Sequence, residues 1–305
     1  MIQTKRNKIT FRKRFKNEIL AICLLGIPMF WWLMLGAIPV LFGMGLGFFE
    51  WSGTAHTPPR FVWFDNYINF FRFEYYYMSL WRAFYIGGLC AVVGLVTSLF
   101  VASVVNKMVR AKAFFRSVWY IPTVVSPVVA TMIFNIFLEP HGAFNNILAN
   151  FGRPPILWLQ DRNWAIFWIV VYSTWKSLGG SVLLWLAAFQ SVDRTLDEAA
   201  ALDGANSRQT FWHVQVPQMM PIIIFILITT FGGMIQVMEP ILFITNGGPF
   251  GQTEVIAFRI LRDTFWDRQF GMAGASSMII LAVTFGFILI IFRMQKRAMK
   301  EDKAK

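Results

Sequence analysis

The chain has 305 residues, 56% of them hydrophobic and only 14% charged, against about a quarter charged in an ordinary soluble domain. At a mean hydropathy of +0.53, too little polar surface remains to cover a water-soluble globule, and a membrane class follows. The net charge of +12 does not indicate nucleic acid: the cations gather at the two ends and in short connections between uncharged runs, the distribution of a polytopic membrane chain.

Residues 1–18 form a basic tail. The first apolar run, residues 19–49, exceeds the roughly 7–15 residues of a signal-peptide core and reads as a retained anchor helix. Five further runs, residues 83–105, 117–138, 164–189, 219–244 and 272–292, each approach or exceed the roughly 20 helical residues needed to cross the hydrocarbon. Barrel-type alternation is absent, so the expected fold class is all-α, with six transmembrane helices spanning residues 19–292. Pro28, Pro39, Pro122, Pro127 and Pro240 predict kinks inside the spans. Residues 293–305 are a second basic tail.

An even number of spans puts both termini on one face. Lys and Arg number seven, four, two and six in the segments of that face, against three, two and three opposite, with Lys176 inside the fourth span. Both tails are therefore expected in the cytoplasm. Cys23 and Cys90 both lie in apolar runs and read as small buried hydrophobes. Neither they nor the scattered histidines make a metal site.

The connection between the fourth and fifth spans carries the densest signal. Thr195 and Glu198 have capping-box spacing, the Ala- and Leu-rich residues after them favour helix, and Gly204 suits a left-handed helix stop. Asn206 or Ser207 can cap a second short helix, which Pro217 is expected to end. The pattern predicts helix–glycine–helix across about residues 195–217, with Leu196, Ala200, Leu202, Phe211, Trp212 and Val214 available to bury. Ala199, Ala200, Ala201 and Ala205 would let another protein approach closely.

Within the spans, Lys176 is costly at mid-membrane and must face a cavity, an acid or a neighbouring helix. It reads either as a pathway residue or as a helix-to-helix tether. Glu239, the one acid in the apolar runs, could pair with it or sit at a polar helix end. Asn135, Gln236 and Thr245 could hydrogen-bond a hydroxylated solute or hold helices together. There is no phosphate-binding G-x-x-x-x-G-K-[ST] loop, so ATP hydrolysis is not expected of this chain, nor does any nucleophile elbow occur.

Glu198-Ala199-Ala200, two residues, Asp203-Gly204-Ala205 and the ending Val214-Gln215-Val216-Pro217 resemble the EAA signature loop of permeases from binding-protein-dependent ABC importers. Val216 stands where Leu is usual. FVWFDNY at residues 61–67, the third-span segment 116–138, GAFNNIL at 142–148 and TNGGP at 245–249 resemble the first-subunit type of the sugar-specific branch. The resemblance implies a type I importer permease in a bacterial or archaeal cell membrane. Glu198, Ala199, Ala200, Asp203, Gly204 and Pro217 would form the ATPase-coupling loop, and Gly247, Gly248 and Pro249 an outer-loop motif. Lys176, Glu239, Asn135 and Gln236 are candidates for the path. The implied partners are a second, non-identical permease, an ABC ATPase dimer holding ATP and Mg, an extracellular solute-binding protein, membrane lipid and a sugar, with no cofactor or metal in this chain and no nucleic acid.

Two other classes compete. A polytopic lipid or glycan transferase needs acids or histidines clustered at a membrane face, whereas Asp193, Asp197, Glu198 and Asp203 are strung along one loop. An ATP-independent facilitator would have no use for that loop.

Overall fold

With no water in the bilayer core, backbone polar groups must be paired within each segment, and helices make up nearly all of the chain's regular structure. The computed structural model describes residues 11–54, 57–108 and 112–302. The basic tails therefore fall partly outside the described residues, as does Arg110 of the second connection.

α1 (Phe11–Trp32) and α2 (Ile38–Gly45) form one rod, joined by a wide π turn over Leu33–Ala37. Pro39 accounts for the wide turn. It has no N–H, and its ring would strike the carbonyl four residues back in a regular α-helix. The rod meets the bundle at its C-terminal end, where Gly43 and Gly47 bring backbone onto the last helix. A Cβ on Gly274 would lie 2.5 Å from the Gly43 carbonyl, and one on Gly47 2.9 Å from the Ala275 nitrogen. Small residues permit this close crossing of membrane helices.

A two-stranded ribbon follows, β1 (Phe49–Glu50) against β2 (Arg60–Phe61), with Glu50 opposite Arg60. Short helix α3 (Asp65–Arg72) then leads into α4 (Glu74–Lys107), the second span. The third is broken. α5 (Lys112–Val124) meets the arm that begins with α6 (Pro127–Leu138) at 91°, where a single kinked span over 117–138 was expected. Ser126 is extended (ψ 133°), as a residue before proline tends to be. α7 (Ala143–Asn150) completes the arm.

α8 (Arg162–Gln190) is the central helix, buried along α4 and crossed by α5. A Cβ on Gly179 would come within 2.5 Å of the Trp119 carbonyl of α5, so glycine alone fits that crossing. The Trp185 indole donates to Ser98 of α4 at 3.1 Å. α9 (Arg194–Leu202) and α10 (Ser207–Thr210) form the hairpin after it. α11 (Val216–Met234) carries the fifth span, which breaks after Met234 and resumes as a π turn over Ile241–Thr245. The expected continuous helix over 219–244 is thus two pieces, with Pro240 capping the second. The short helix α12 (Ile256–Phe265) precedes α13 (Phe270–Asp302), the last span.

Among the described residues, four helical stretches are long and apolar enough to cross a bilayer, and the bent third pair makes five. α8 is the sixth: its 29 residues extend about 43 Å at roughly 1.5 Å per residue. Lys176 and its serines make it less apolar than the others, which its burial among α4, α5 and α11 allows.

Candidate functional site

The hairpin between α8 and α11 is built by local chemistry. Asp193, not Thr195, caps α9: its carboxylate accepts from the Thr195 N–H and hydroxyl, both at 2.9 Å. These two bonds hold the Asp193 carboxyl below its ordinary value. The expected Thr195–Glu198 box does not form, because Thr195 already lies inside the helix. At the other end Gly204 adopts φ +81°, and the Ala205 N–H returns to the Ala200 carbonyl at 2.9 Å, closing the helix with a glycine stop. Asn206 then caps α10 in a reciprocal box with Gln209.

Pro217 does not end that second helix. The chain runs from α10 through a π turn over Phe211–Gln215 directly into α11, with Pro217 in the first turn of α11. The Val216 N–H reaches back five residues to the Phe211 carbonyl, and the widened turn accommodates a ring that an α-helical interior would reject.

Two glutamines fasten α9 to this continuous element. Gln215 donates to the Asp197 carboxylate at 3.0 Å, and Gln218 accepts from the Asp193 N–H at 2.9 Å. The outward side is apolar and uncovered: Leu202 is 90% exposed and Trp212 57%, with Leu196 also exposed. Phe211, Val214 and Ala200 are half-buried, while Glu198, Ala199, Asp203 and Pro217 are exposed.

The four candidate path residues are not gathered in one cavity. The Lys176 ammonium donates to the Pro122 carbonyl at 3.0 Å, the Thr123 carbonyl at 3.4 Å and the Val125 carbonyl. Thr123 returns a bond to the Lys176 carbonyl at 3.2 Å. Lys176 thus caps the end of α5, where the 91° break frees carbonyls. Asn135 donates to the Phe243 carbonyl at 2.8 Å and ties α6 to the π turn of the fifth span. Gln236 lines an apolar groove of about 560 Å³ among α2, α12 and α13. Glu239 is exposed and stands near Tyr172 of α8, and no ion pair joins it to Lys176 among the described residues.

The TNGGP segment is a tight loop, with Asn246 and Gly247 left-handed and Gly248–Pro249 cis. Thr253 holds it, donating to the Gly248 carbonyl at 2.6 Å and sharing a 2.9 Å bond with Thr245. Beyond it lies a charge cluster that sequence reading missed. Buried Arg259 meets Asp263 at 2.7 Å, Asp267 at 3.1 Å and Glu254 at 3.3 Å, and Tyr76 of α4 donates to Asp263 at 2.9 Å. Burial pushes the Asp263 carboxyl up to about 6, against the pull of Arg259. Arg259 and Asp263 stand four apart, a spacing that marks a helix-face pair but not its burial.

A second unanticipated feature is a groove of about 370 Å³ among α4, α8 and α11, lined by Cys90, Ser173, Ser177, Ser181, Thr229 and Thr230 with small and aliphatic neighbours. Its sequence trace was the four-residue spacing of the α8 serines, which places them on one helix face.

This multi-span helical bundle, with a hairpin joining two of its central helices, is the fold of the membrane component of a transport system. The chain belongs to the family of binding-protein-dependent transport system inner membrane components, whose model matches residues 94–298. It is a multi-pass permease of the ABC importer class, not an enzyme. It is 30% identical over 79% of its length to the sn-glycerol-3-phosphate transport system permease protein UgpA of Yersinia pestis bv. Antiqua, of which the match covers 82%. It is 28% identical over 94% of its length to the probable ABC transporter permease protein YurN of Bacillus subtilis, covering 99% of that protein. Its fold matches a chain of a bacterial ABC transporter involved in the import of alginate with a TM-score of 0.82, at 23% identity, over 93% of this chain and 98% of that one.

Proposed function

We propose that this chain is the first-type permease of an ATP-driven sugar importer. It would pair with a second, non-identical permease, stand on an ABC ATPase dimer that holds ATP and Mg, and take sugar from an extracellular binding protein. The names of its relatives include a glycerol phosphate and an acidic polysaccharide, so a polyol or saccharide solute is the shared theme. The cation distribution supports cytoplasmic tails at residues 1–18 and 293–305 flanking the permease domain of residues 19–292.

The observation that carries this reading is the uncovered apolar side of the hairpin. Burying Leu202 alone against a partner contributes about 2 kcal/mol, and the neighbouring alanines let backbone approach. Glu198, Ala199, Ala200, Asp203, Gly204 and Pro217 form or flank this surface. ATPase closure would press on α9, and the Gln215 and Gln218 bonds would pass the motion to α11. The Gly247-Gly248-Pro249 turn would be the corresponding outer element, facing the binding protein.

A mild-detergent pull-down of the tagged chain from its native membrane tests the reading. Co-purification of an ABC ATPase and a second permease, both lost in Leu202→Asp, is the expected result. Recovery of biosynthetic enzymes in place of an ATPase would refute it.

A further inference from the structure

We infer that a cleft between α4 and α8 holds one anionic phospholipid, its phosphate at Arg82 and Arg162 and an acyl chain in the cleft below them. The inference needs only the membrane-spanning fold and stands whatever the solute.

Charge is the first argument. Arg82 of α4 is half-buried, and Glu254, Arg162 and Glu74 are the charged groups close enough to act on it through space. Glu254 is committed elsewhere, to Arg259 at 3.3 Å and Arg262 at 3.6 Å. Arg162 opens α8, and among the described residues neither guanidinium has a carboxylate within 4 Å. Asp161, the acid next to Arg162, caps α8 instead, accepting from the Asn163 and Trp164 N–H groups at 2.8 and 3.0 Å. A guanidinium keeps its proton in a protein, so these neighbouring cations call for an anion. Phosphate oxygens match their forked donors.

Shape is the second argument. The cleft, about 290 Å³, begins beside the arginines: Tyr85, three residues after Arg82, and Asn163, directly after Arg162, both line it. Its other walls are Leu89 and Val93 of α4 with Ile166, Phe167 and Val170 of α8, side chains without a polar atom. Arg82, Tyr85, Leu89 and Val93 follow one another at spacings that share one helix face. The uncharged run of α4 starts directly after Arg82, and that of α8 directly after Arg162. The arginines therefore stand at the edge of the hydrocarbon, with the slot running into it. A cationic mouth above an apolar slot has the outline of a phospholipid. Arg162 and the hairpin lie at opposite ends of α8, about 43 Å apart, so the lipid belongs to the leaflet opposite the hairpin.

The third argument separates lipid from a partner helix. Membrane helices approach one another through small residues. The rims of this cleft are bulky and exposed, Tyr85 at 44%, Phe167 at 48% and Leu89 and Val93 at 37% each. They hold a second helix off and leave a slot that a flexible chain fills. Exposed Val92, Val96 and Phe100 continue the apolar surface along α4.

Crosslinking in lipid nanodiscs holding the tagged chain with its co-purifying partners tests the site. The probe is phosphatidylglycerol with a diazirine in one acyl chain, competed by unlabelled phosphatidylglycerol or phosphatidylcholine. Peptide mass spectrometry should place the main adduct within residues 85–93 and 163–170. Arg82→Gln combined with Arg162→Gln should lower that adduct about fivefold or more, and phosphatidylglycerol should compete better than phosphatidylcholine. Val93→Trp fills the cleft, leaves both arginines and should also displace the adduct, so the test survives a double variant that fails to fold. Adducts spread evenly over the exposed spans, or unchanged in the variants, would overturn the site. Equal competition by phosphatidylcholine would overturn the role of the arginines. An adduct formed on the chain alone and lost when the second permease is present would overturn the lipid in favour of a protein interface.

Discussion

The side-chain amide of Gln215 donates to the Asp197 carboxylate at 3.0 Å, joining the first helix of the hairpin to the element that continues into α11. Gln218 makes the parallel bond to the Asp193 N–H at 2.9 Å. The hairpin is therefore fastened to one span by side chains and to the other by the three residues between α8 and α9. In the proposed mechanism, a push on α9 would be passed to α11 through these two bonds.

Gln215→Leu removes that fastening and leaves a carboxylate without its amide. A hydrogen bond to a charged group contributes about 1.5–3 kcal/mol, less where water competes. The expected phenotype is uncoupling: ATPase activity of the assembled importer within twofold of normal, with transport reduced about fivefold or more. Vesicles assayed for both activities decide it; loss of both together would mean that the bond only supports assembly.

Gly204 separates conformation from space. Its φ of +81° is costly for a side chain, yet a Cβ there meets nothing within 4 Å. Within this chain, Gly204→Val should therefore act through backbone strain, about 1–2 kcal/mol. Gly204→Asn should retain most of the transport, since Asn tolerates the left-handed region. Equal defects in the two variants would show that something other than backbone geometry is at stake.

Lys176 is a bracket for the broken third span. Lys176→Met leaves the Pro122, Thr123 and Val125 carbonyls without their donor, at about 1–3 kcal/mol for each group left unsatisfied. The detergent-solubilised protein should melt several degrees lower, and Lys176→Arg should recover part of the loss. Uptake by the surviving fraction should keep its substrate preference. A changed preference with unchanged melting would return Lys176 to the solute path.

The hairpin was legible in the sequence because its signals are local. A glycine stop, a cap such as Asn206 and an alanine-rich stretch act within a few residues, whatever the rest of the chain does. Even there, competition between Asp193 and Thr195 moved the cap by two residues, and Pro217 proved compatible with a first helical turn. The partners of Lys176 and Asn135 were illegible for the opposite reason. They depend on which helices touch, and in lipid the apolar faces of all the spans look alike. The groove was half visible: the serine spacing fixed a face of α8, but not what that face looked upon.

Arg259 and Asp263 offer a test of their buried charge cluster whose outcome depends on pH. Asp263→Asn leaves Arg259 facing Glu254 and Asp267, still paired. Arg259→Leu leaves the buried Asp263 carboxylate without its cation, while Arg262 still reaches Glu254 at 3.6 Å and Asp267 at 3.5 Å; breaking a buried pair costs about 3–5 kcal/mol. At pH 7.5 Arg259→Leu should therefore lower the melting temperature far more than Asp263→Asn. The Asp263 carboxyl already sits at about 6 in the intact protein, raised by burial from 3.8, and losing Arg259 can only raise it further. Lowering the pH through that value adds the proton that the bare carboxylate lacks, so the stability of Arg259→Leu should recover between pH 7.5 and pH 5. A deficit that stays constant or grows over that interval would show that Arg259 holds α12 through its packing on the Tyr75 and Tyr76 rings, 4.7 and 5.0 Å away, and not through its charge.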